Sequence, residues 1–345
     1  MKTRAFAVAL LVAGLVSSGG TFAADRPVVK MATVTQEVSA WCLSSGFMYN
    51  PAFTAAPPPA DFEKVFLSPA QAVVAVENGE LALDECVGLG TLAQAWIKGA
   101  RNAIVIAVAA IEPTYMLIGG KGIKKLDDLK GRALGSNGLQ TTATPAVVAI
   151  LQRGANLQPE RDYSFVAVGT AGARLAALAA GKIDGIASYP PYAYKLVDEG
   201  YPMLASERQY VPNYVFGTIV VNREWAERNR PLVVAILKTM LQNGRWLKDP
   251  AKKNEVIAKM SDGILMGTEK LGSDYARRIY SDVIAVNGGV VEGLYGDRAL
   301  FTNTLSMLTE RGIISKSDPL PIDRMVDYSF LNQARRELRL PPVAL

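Results

Sequence analysis

The sequence predicts an α/β fold of two lobes with a central cleft, and three features of the chain carry that expectation. Short β-branched or apolar runs alternate with helical patterns, the rhythm of a sheet with helices packed on it. Residues 103–111 are almost uninterruptedly apolar, as in a strand covered on both faces. After Glu112-Pro113-Thr114 the rhythm restarts, so two successive α/β units are joined by a short extended connection.

Length and composition bound the function. The 345 residues suffice for two or three domains or lobes of ~150 residues each, and a 50% hydrophobic fraction supplies a sizeable core. There is no histidine. That excludes Ser-His-Asp and Cys-His catalysis, a histidine general base, an HExxH metal helix and a facial-triad iron site. No catalytic residue, metal or cofactor is expected.

The N-terminus reads as an export signal. Lys2 and Arg4 precede the apolar run 5–16, and Ser17, Ser18 and two glycines lead to Thr21-Phe22-Ala23, a small-x-small cleavage pattern. The run is shorter than the ~20 residues that span a bilayer, so residues 1–23 read as a signal peptide cut near Ala23. Loss of Lys2 and Arg4 lowers the formal charge of +5 by two, to +3. No cysteine lies near the cut, so no lipid anchor is expected there. In an oxidising compartment Cys42 and Cys86 can pair; two reduced, buried cysteines fit the sequence equally well.

Each element follows from local chemistry. Residues 28–33 form the first strand. The stretch Ala55-Ala56-Pro57-Pro58-Pro59-Ala60 is a surface loop, because proline lacks a donor and restricts its predecessor. A strand at 62–67 meets Ser68-Pro69, an N-cap followed by a first-turn proline, and the helix 69–77 stops at Asn78-Gly79. Strand 81–87, helix 91–98 ending at Gly99, and strand 103–111 complete a unit whose sheet is expected to be parallel. The second unit has strands at 115–118, 132–135, 163–168 and 183–188. Its helices lie at 124–129, 142–153 (ending before Gly154), 171–180 and 192–199, the last two stopped by Gly181 and Gly200. A strand at 215–221 leads into a helical tail at 230–247, 250–260, 273–285, 297–311 and 325–338. Arg335, Arg336 and Arg339 read as a solvated stripe, and no basic patch with interleaved aromatics points to nucleic acid.

Four features are candidates for chemistry. Gly88-Leu89-Gly90-Thr91-Leu92-Ala93, with Glu112 near the ribose-acid position, superficially matches a dinucleotide pattern; it is glycine-poor and reads as a tight strand-to-helix turn. Gly135-Ser136-Asn137-Gly138-Leu139-Gln140-Thr141-Thr142 joins a strand to a helix and is equally an anion site at a helix N-terminus and an ordinary capped helix. Asp84-Glu85 lies on a strand, where neighbours face opposite ways, and Asp127-Asp128 sits among lysines, so neither pair makes a metal or glycosidase site. Trp41, Tyr49, Tyr115, Tyr189, Tyr192, Tyr194, Tyr214 and Phe216 gather near connections. Tyr189 and Tyr192, beside Ser188 and Pro190-Pro191, are the foremost pocket candidates.

Several segments resemble a known family. Ile123-Lys124-Lys125-Leu126-Asp127-Asp128-Leu129-Lys130-Gly131-Arg132 looks like the "IkslaDLKGK" segment of the nitrate/sulfonate/taurine-type (NMT1-like) periplasmic solute-binding proteins. Ala176-Ala177-Leu178-Ala179-Ala180-Gly181-Lys182-Ile183-Asp184-Gly185 resembles their "ALxaGxvDA" segment, followed by Pro190-Pro191. Asp327-Tyr328-Ser329-Phe330-Leu331 resembles their terminal "vDnsfl". In the first lobe Val76-Glu77-Asn78-Gly79-Glu80 is similar to "aLxxGxxD", with Ala82 where the family has an acid, and the triple proline departs from the pattern.

The resemblance implies a type II periplasmic-binding architecture in which residues 24–112 and 216–345 form a discontinuous first lobe and 113–215 the second. It puts the hinge at Glu112, Thr114, Tyr214 and Phe216. Ligands of open α/β sheets bind beyond the carboxyl ends of strands. That rule selects Thr35, Gln36, Ser68, Gly90 and Thr91, facing Ser136, Asn137, Gln140, Thr141, Thr170, Ser188 and Tyr189, with Trp41 and Tyr192 as aromatic contacts. The implied function is capture of a small organic anion, a sulfonate or carboxylate, by a periplasmic monomer that delivers it to the permease and ATPase of an ABC importer. A neutral or cationic pyrimidine ligand is the alternative. An enzyme such as the pyrimidine synthases of thiamine biosynthesis is less favoured, because that chemistry consumes a histidine this chain lacks.

Overall fold

The computed structural model describes residues 26–33, 42–48, 50, 54–111, 114–136, 143–169, 171–211, 213–266, 269–286, 289–318 and 320–345. The first unit runs β1 (Val28–Thr33), a 3-10 turn (Leu43–Met48), β2 (Asp61–Phe66), α1 (Pro69–Glu77), β3 (Leu83–Val87), α2 (Leu89–Ile97) and β4 (Ala103–Ala110). The second runs β5 (Met116–Gly119), a 3-10 turn (Leu126–Leu129), β6 (Ala133–Ser136), α3 (Ala143–Ala155), β7 (Ser164–Ala167), α4 (Ala171–Ala179), β8 (Gly185–Ser188), α5 (Tyr192–Asp198) and β9 (Met203–Ser206). There follow β10 (Gly217–Asn222), α6 (Arg223–Arg228), α7 (Arg230–Lys248), α8 (Lys253–Ser261), β11 (Ile264–Met266), β12 (Glu269–Lys270) and α9 (Gly272–Ile279), which continues as a π-helical turn (Tyr280–Ile284). The chain ends with α10 (Arg298–Glu310), α11 (Ile322–Met325) and α12 (Ser329–Glu337).

Two five-stranded sheets, ordered β2-β1-β3-β10-β4 and β7-β6-β8-β5-β9, form the two lobes. They are mixed, which corrects the parallel expectation. β10 runs antiparallel to β3 and β4, and β5 runs antiparallel to β8 and β9. The reason is connectivity: the chain leaves the first sheet from the end of β4 and re-enters beside it, so the returning strand must run the other way. β9, a short edge strand, was not foreseen.

Local chemistry explains the element ends. The Ser68 hydroxyl and amide both reach Gln71 Oε1, at 2.7 and 3.2 Å, closing a capping box that opens α1. Gly79 ends that helix at φ +75°, a conformation that costs glycine nothing. α3 runs through Gly154 to Ala155, and that glycine serves packing: Leu126 and Tyr210 would stand 2.5 and 3.0 Å from a Cβ there. The expected last helix is broken between α11 and α12, where the Asp327 amide donates to the Val105 carbonyl of β4 at 2.9 Å. Arg335 is buried rather than solvated: its Nε and Nη1 donate to the carbonyls of Pro341 and Gly293 at 2.7 and 2.9 Å.

The tail packs on both lobes. Val233, Leu237 and Leu241 of α7 join the core around β3, β4 and β10, as do Phe301, Phe330 and Leu331. Trp246, Val256, Ile279 and Val283 instead share a core with Met116, Ile118, Ile186 and Tyr194. The middle of the tail therefore covers the second sheet, a departure from a tail that returns wholly to the first.

Cys42 and Cys86 are disulfide-bonded, with Cα atoms 5.9 Å apart. The bridge fastens the chain beyond β1 to the end of β3, and both sulfurs lean on Gly217, where a Cβ would stand 2.7 and 2.8 Å from them. Gly217→Ala is expected to cost about 1–3 kcal/mol in urea unfolding of the oxidised protein, and much less in a Cys42→Ala/Cys86→Ala background. An oxidised Gly217→Ala protein as stable as its parent would refute this packing.

Candidate functional site

Two chain crossings join the sheets, one from Ala110 to Met116 and one entering β10 at Gly217. They run side by side: the Phe216 amide donates to the Ala110 carbonyl at 3.0 Å, and the Tyr214 amide to the Ile111 carbonyl at 2.9 Å. At this edge the first sheet ends in Thr33, Val87 and Ala110. The facing edge of the second sheet presents Ser136 at the end of β6, and Met116 in register with Ser188 and Ser206. The parallel strands of both lobes thus turn their carboxyl ends toward the crossings, the position in which open α/β sheets receive ligands.

A row of aromatic rings lines this zone. Edge-to-face contacts link Tyr192 to Tyr189 at 5.5 Å, Tyr189 to Tyr115 at 6.0 Å, Tyr115 to Phe216 at 5.7 Å and Phe216 to Tyr214 at 5.6 Å. Ser188, Tyr189 and Tyr192 are brought together at the end of β8, all buried. Ser136 is buried and its hydroxyl lies 2.7 Å from that of Thr144, in the first turn of α3. Of the hinge residues, Thr114, Tyr214 and Phe216 are buried. Thr35, Gln36, Trp41, Glu112, Asn137, Gln140, Thr141 and Thr170 lie outside the described residues.

Three lobe-one candidates follow strand ends and take part in the start of a helix. Ser68 is exposed and commits its hydroxyl to the capping box. Gly90 and Thr91 fall inside the first turn of α2, which starts at Leu89. Gly90 faces the tail, with Leu308 3.1 Å and Ile313 3.6 Å from where a Cβ would be. Packing, not a pyrophosphate, accounts for that glycine.

Sequence reading missed two charged features, and the burial of a third. Arg174, in the first turn of α4, is 5% exposed; its Nη1 donates to the Gly169 carbonyl at 2.7 Å, while Nε is buried with no partner. Glu207 and Arg311 form an ion pair at 3.6 Å with side chains 0% and 6% exposed. The Tyr214 hydroxyl donates to Glu207 Oε1 at 3.2 Å, and the Glu207 amide to the Tyr115 carbonyl at 2.8 Å. Asp84 and Glu85 are buried on opposite faces of β3, as alternation requires: Asp84 accepts from the Cys86 amide, and Glu85 from the Thr33 hydroxyl. Their positions were visible, but their burial was not, because it arises from chain segments distant in sequence.

Burial sets the electrostatics. It pushes the Asp84 carboxyl up to about 7 and the Glu85 carboxyl up to about 8, the Thr33 hydrogen bond only partly opposing the rise at Glu85. Burial also raises Glu207, with Arg311 and the Tyr214 hydroxyl pulling it back. Desolvation lowers the Arg174 pKa. Among the described residues no group of acids or cysteines could hold a metal ion, and no helix is long and apolar enough to cross a membrane.

Two outcomes follow. Arg311→Met leaves Glu207 buried without its partner and is expected to cost about 3–5 kcal/mol, with much of that loss recovered in Arg311→Met/Glu207→Leu; equal stability of the single variant and parent in chemical denaturation would refute the role. Stability should also fall as pH rises from about 5 to 8. In that window the folded chain still holds protons on Asp84 and Glu85 that the unfolded chain has released, so raising pH favours unfolding. Denaturation midpoints measured across the window check the sign, and Glu85→Gln should flatten the slope.

Comparison with known proteins agrees with the geometry. Residues 129–261 match the model of the NMT1-like family. No curated protein matches the chain. Among solved structures, the ligand-binding component of an ABC-type import system from Staphylococcus aureus, with zinc bound, aligns at TM-score 0.68 and 14% identity over 90% of this chain and 99% of its own. The periplasmic nitrate-binding protein NrtA from Synechocystis PCC 6803 aligns at 0.66 and 13% over 91% and 89%. The alkanesulfonate-binding protein SsuA from Xanthomonas axonopodis pv. citri, bound to MOPS, aligns at 0.63 and 19% over 85% and 96%. The two-lobed α/β architecture is that of the periplasmic binding proteins, and residues 129–261 carry the pattern of the NMT1-like family.

Proposed function

We propose that this protein is a periplasmic solute-binding protein that captures a small organic anion, a sulfonate or carboxylate, between its lobes and delivers it to the permease and ATPase of an ABC importer. The observation that carries the reading is the meeting of the strand carboxyl ends of both sheets at the paired crossings, beside the row from Tyr192 through Tyr189 to Tyr115. Tyrosine at the carboxyl end of a strand can line a pocket for an organic ligand, with an apolar face and a hydroxyl. Residues 1–23 act as the export signal, Glu112 to Thr114 and Tyr214 to Phe216 as the hinge, and 113–215 with the middle of the tail as the second lobe. The protein works as a monomer without metal, cofactor or catalytic residue. Ligand bridging the lobes stabilises the closed state over the open one, and the closed state is what the permease recognises. Equal affinity for both states would shift nothing.

A thermal-shift screen tests this. At a hundredfold excess over Kd a bound sulfonate or carboxylate should stabilise the fold by about 2.7 kcal/mol and reduce the radius of gyration in small-angle scattering. Stabilisation by neutral heterocycles and none by sulfonates or carboxylates would overturn the reading. Native mass spectrometry of ligand retained through purification would identify the physiological compound.

A further inference from the structure

We infer that Arg174 is the residue that seats the anionic group of the ligand. This rests on the reading of the protein as an anion-binding two-lobed receptor and adds the residue that determines charge selectivity. Arg174 is 5% exposed and forms no ion pair with any described residue. Nη1 is tied to the Gly169 carbonyl at 2.7 Å, which fixes the plane of the guanidinium, and the buried Nε has no acceptor. A buried cation left without a counter-ion costs several kcal/mol. The position makes the cost worse. Arg174 lies in the first turn of the nine-residue helix α4, where the helix end already carries partial positive charge and favours an anion over a cation.

Its surroundings are those of the candidate site. Gly169, whose carbonyl holds Nη1, sits beside the end of β6, since the Val168 amide donates to the Ser136 carbonyl at 2.8 Å. The phenols of Tyr115 and Tyr189, the central members of the ring row, act electrostatically on its guanidinium. A monoanionic oxygen acid accepting from Nε would neutralise the guanidinium and complement the helix end together, while the rings take the organic part. A dianion would exceed the single charge available, and a neutral heterocycle would leave Arg174 unpaired.

The test uses the full-length mature protein with 1-propanesulfonate, benzenesulfonate, benzoate, inorganic sulfate and a neutral aminopyrimidine as probes, read by thermal shift and calorimetry. The parent should bind at least one monoanion. Arg174→Met should bind it about 10- to 100-fold more weakly while its unliganded melting temperature stays equal or rises, an outcome a merely structural arginine would not give. Arg174→Lys, which keeps the charge and loses the fork, should fall between. If the parent binds a monoanion and Arg174→Met or Arg174→Lys binds it equally well, the assignment is overturned and the anion-receptor reading stands. If no anion binds the parent, whether or not the aminopyrimidine does, both are overturned.

Discussion

Everything in the two-lobed arrangement depends on the short antiparallel pairing of the crossings, in which the amides of Phe216 and Tyr214 donate to the carbonyls of Ala110 and Ile111. Two backbone hydrogen bonds are a modest tie, worth about 0.5–1.5 kcal/mol each. Their consequence is topological. Because the outgoing and returning strands leave from one edge, β10 must enter the first sheet against the direction of its neighbours, and β5 must oppose the rest of the second. That arrangement brings the carboxyl ends of the parallel strands in both lobes to the same zone. The ring contacts from Tyr214 through Phe216 and Tyr115 to Tyr189 extend the crossing into the second lobe.

Charge is handled differently on the two sides of that zone. In the first lobe Asp84 and Glu85 are buried with only partial hydrogen bonding, a situation most cheaply resolved by keeping protons. At the crossing the negative charge of Glu207 is met by Arg311, brought from the tail at the end of α10, and by the hydroxyl of Tyr214. One element thus ties the tail, the crossing and the strand next to Tyr115. In the second lobe Arg174 cannot lose its charge by titration at neutral pH, and among the described residues no acid pairs with it.

Much of the fold was legible because its signals are local. Ser68-Pro69 and Asn78-Gly79 bound α1 at its observed ends, and the apolar run at 103–110 is a strand buried along its whole length. The misses are tertiary. Strand direction depends on where the chain returns, which no periodicity records. β9 is a four-residue edge strand just after Pro202, too short to show a period, and the break before α12 exists because Asp327 reaches β4. Of the site, the tyrosines could be read from their place at strand ends. Arg174 could not, since an arginine in an alanine-rich helix looks solvated, and its burial appears only in the folded chain. Arg335 misled in the same way.

The division of the tail between the two cores has a consequence for modularity. Met116, Ile118, Ile186 and Tyr194 of the second sheet are covered by Trp246, Val256, Ile279 and Val283, which follow the last strand of the first sheet in the chain. Excising residues 113–215 would strip that cover and expose a large apolar face. Neither lobe is therefore a transferable cassette. The chain must be synthesised through α9 before its second lobe is complete, so residues 113–215 cannot be exchanged as a unit without the part of the tail that covers them.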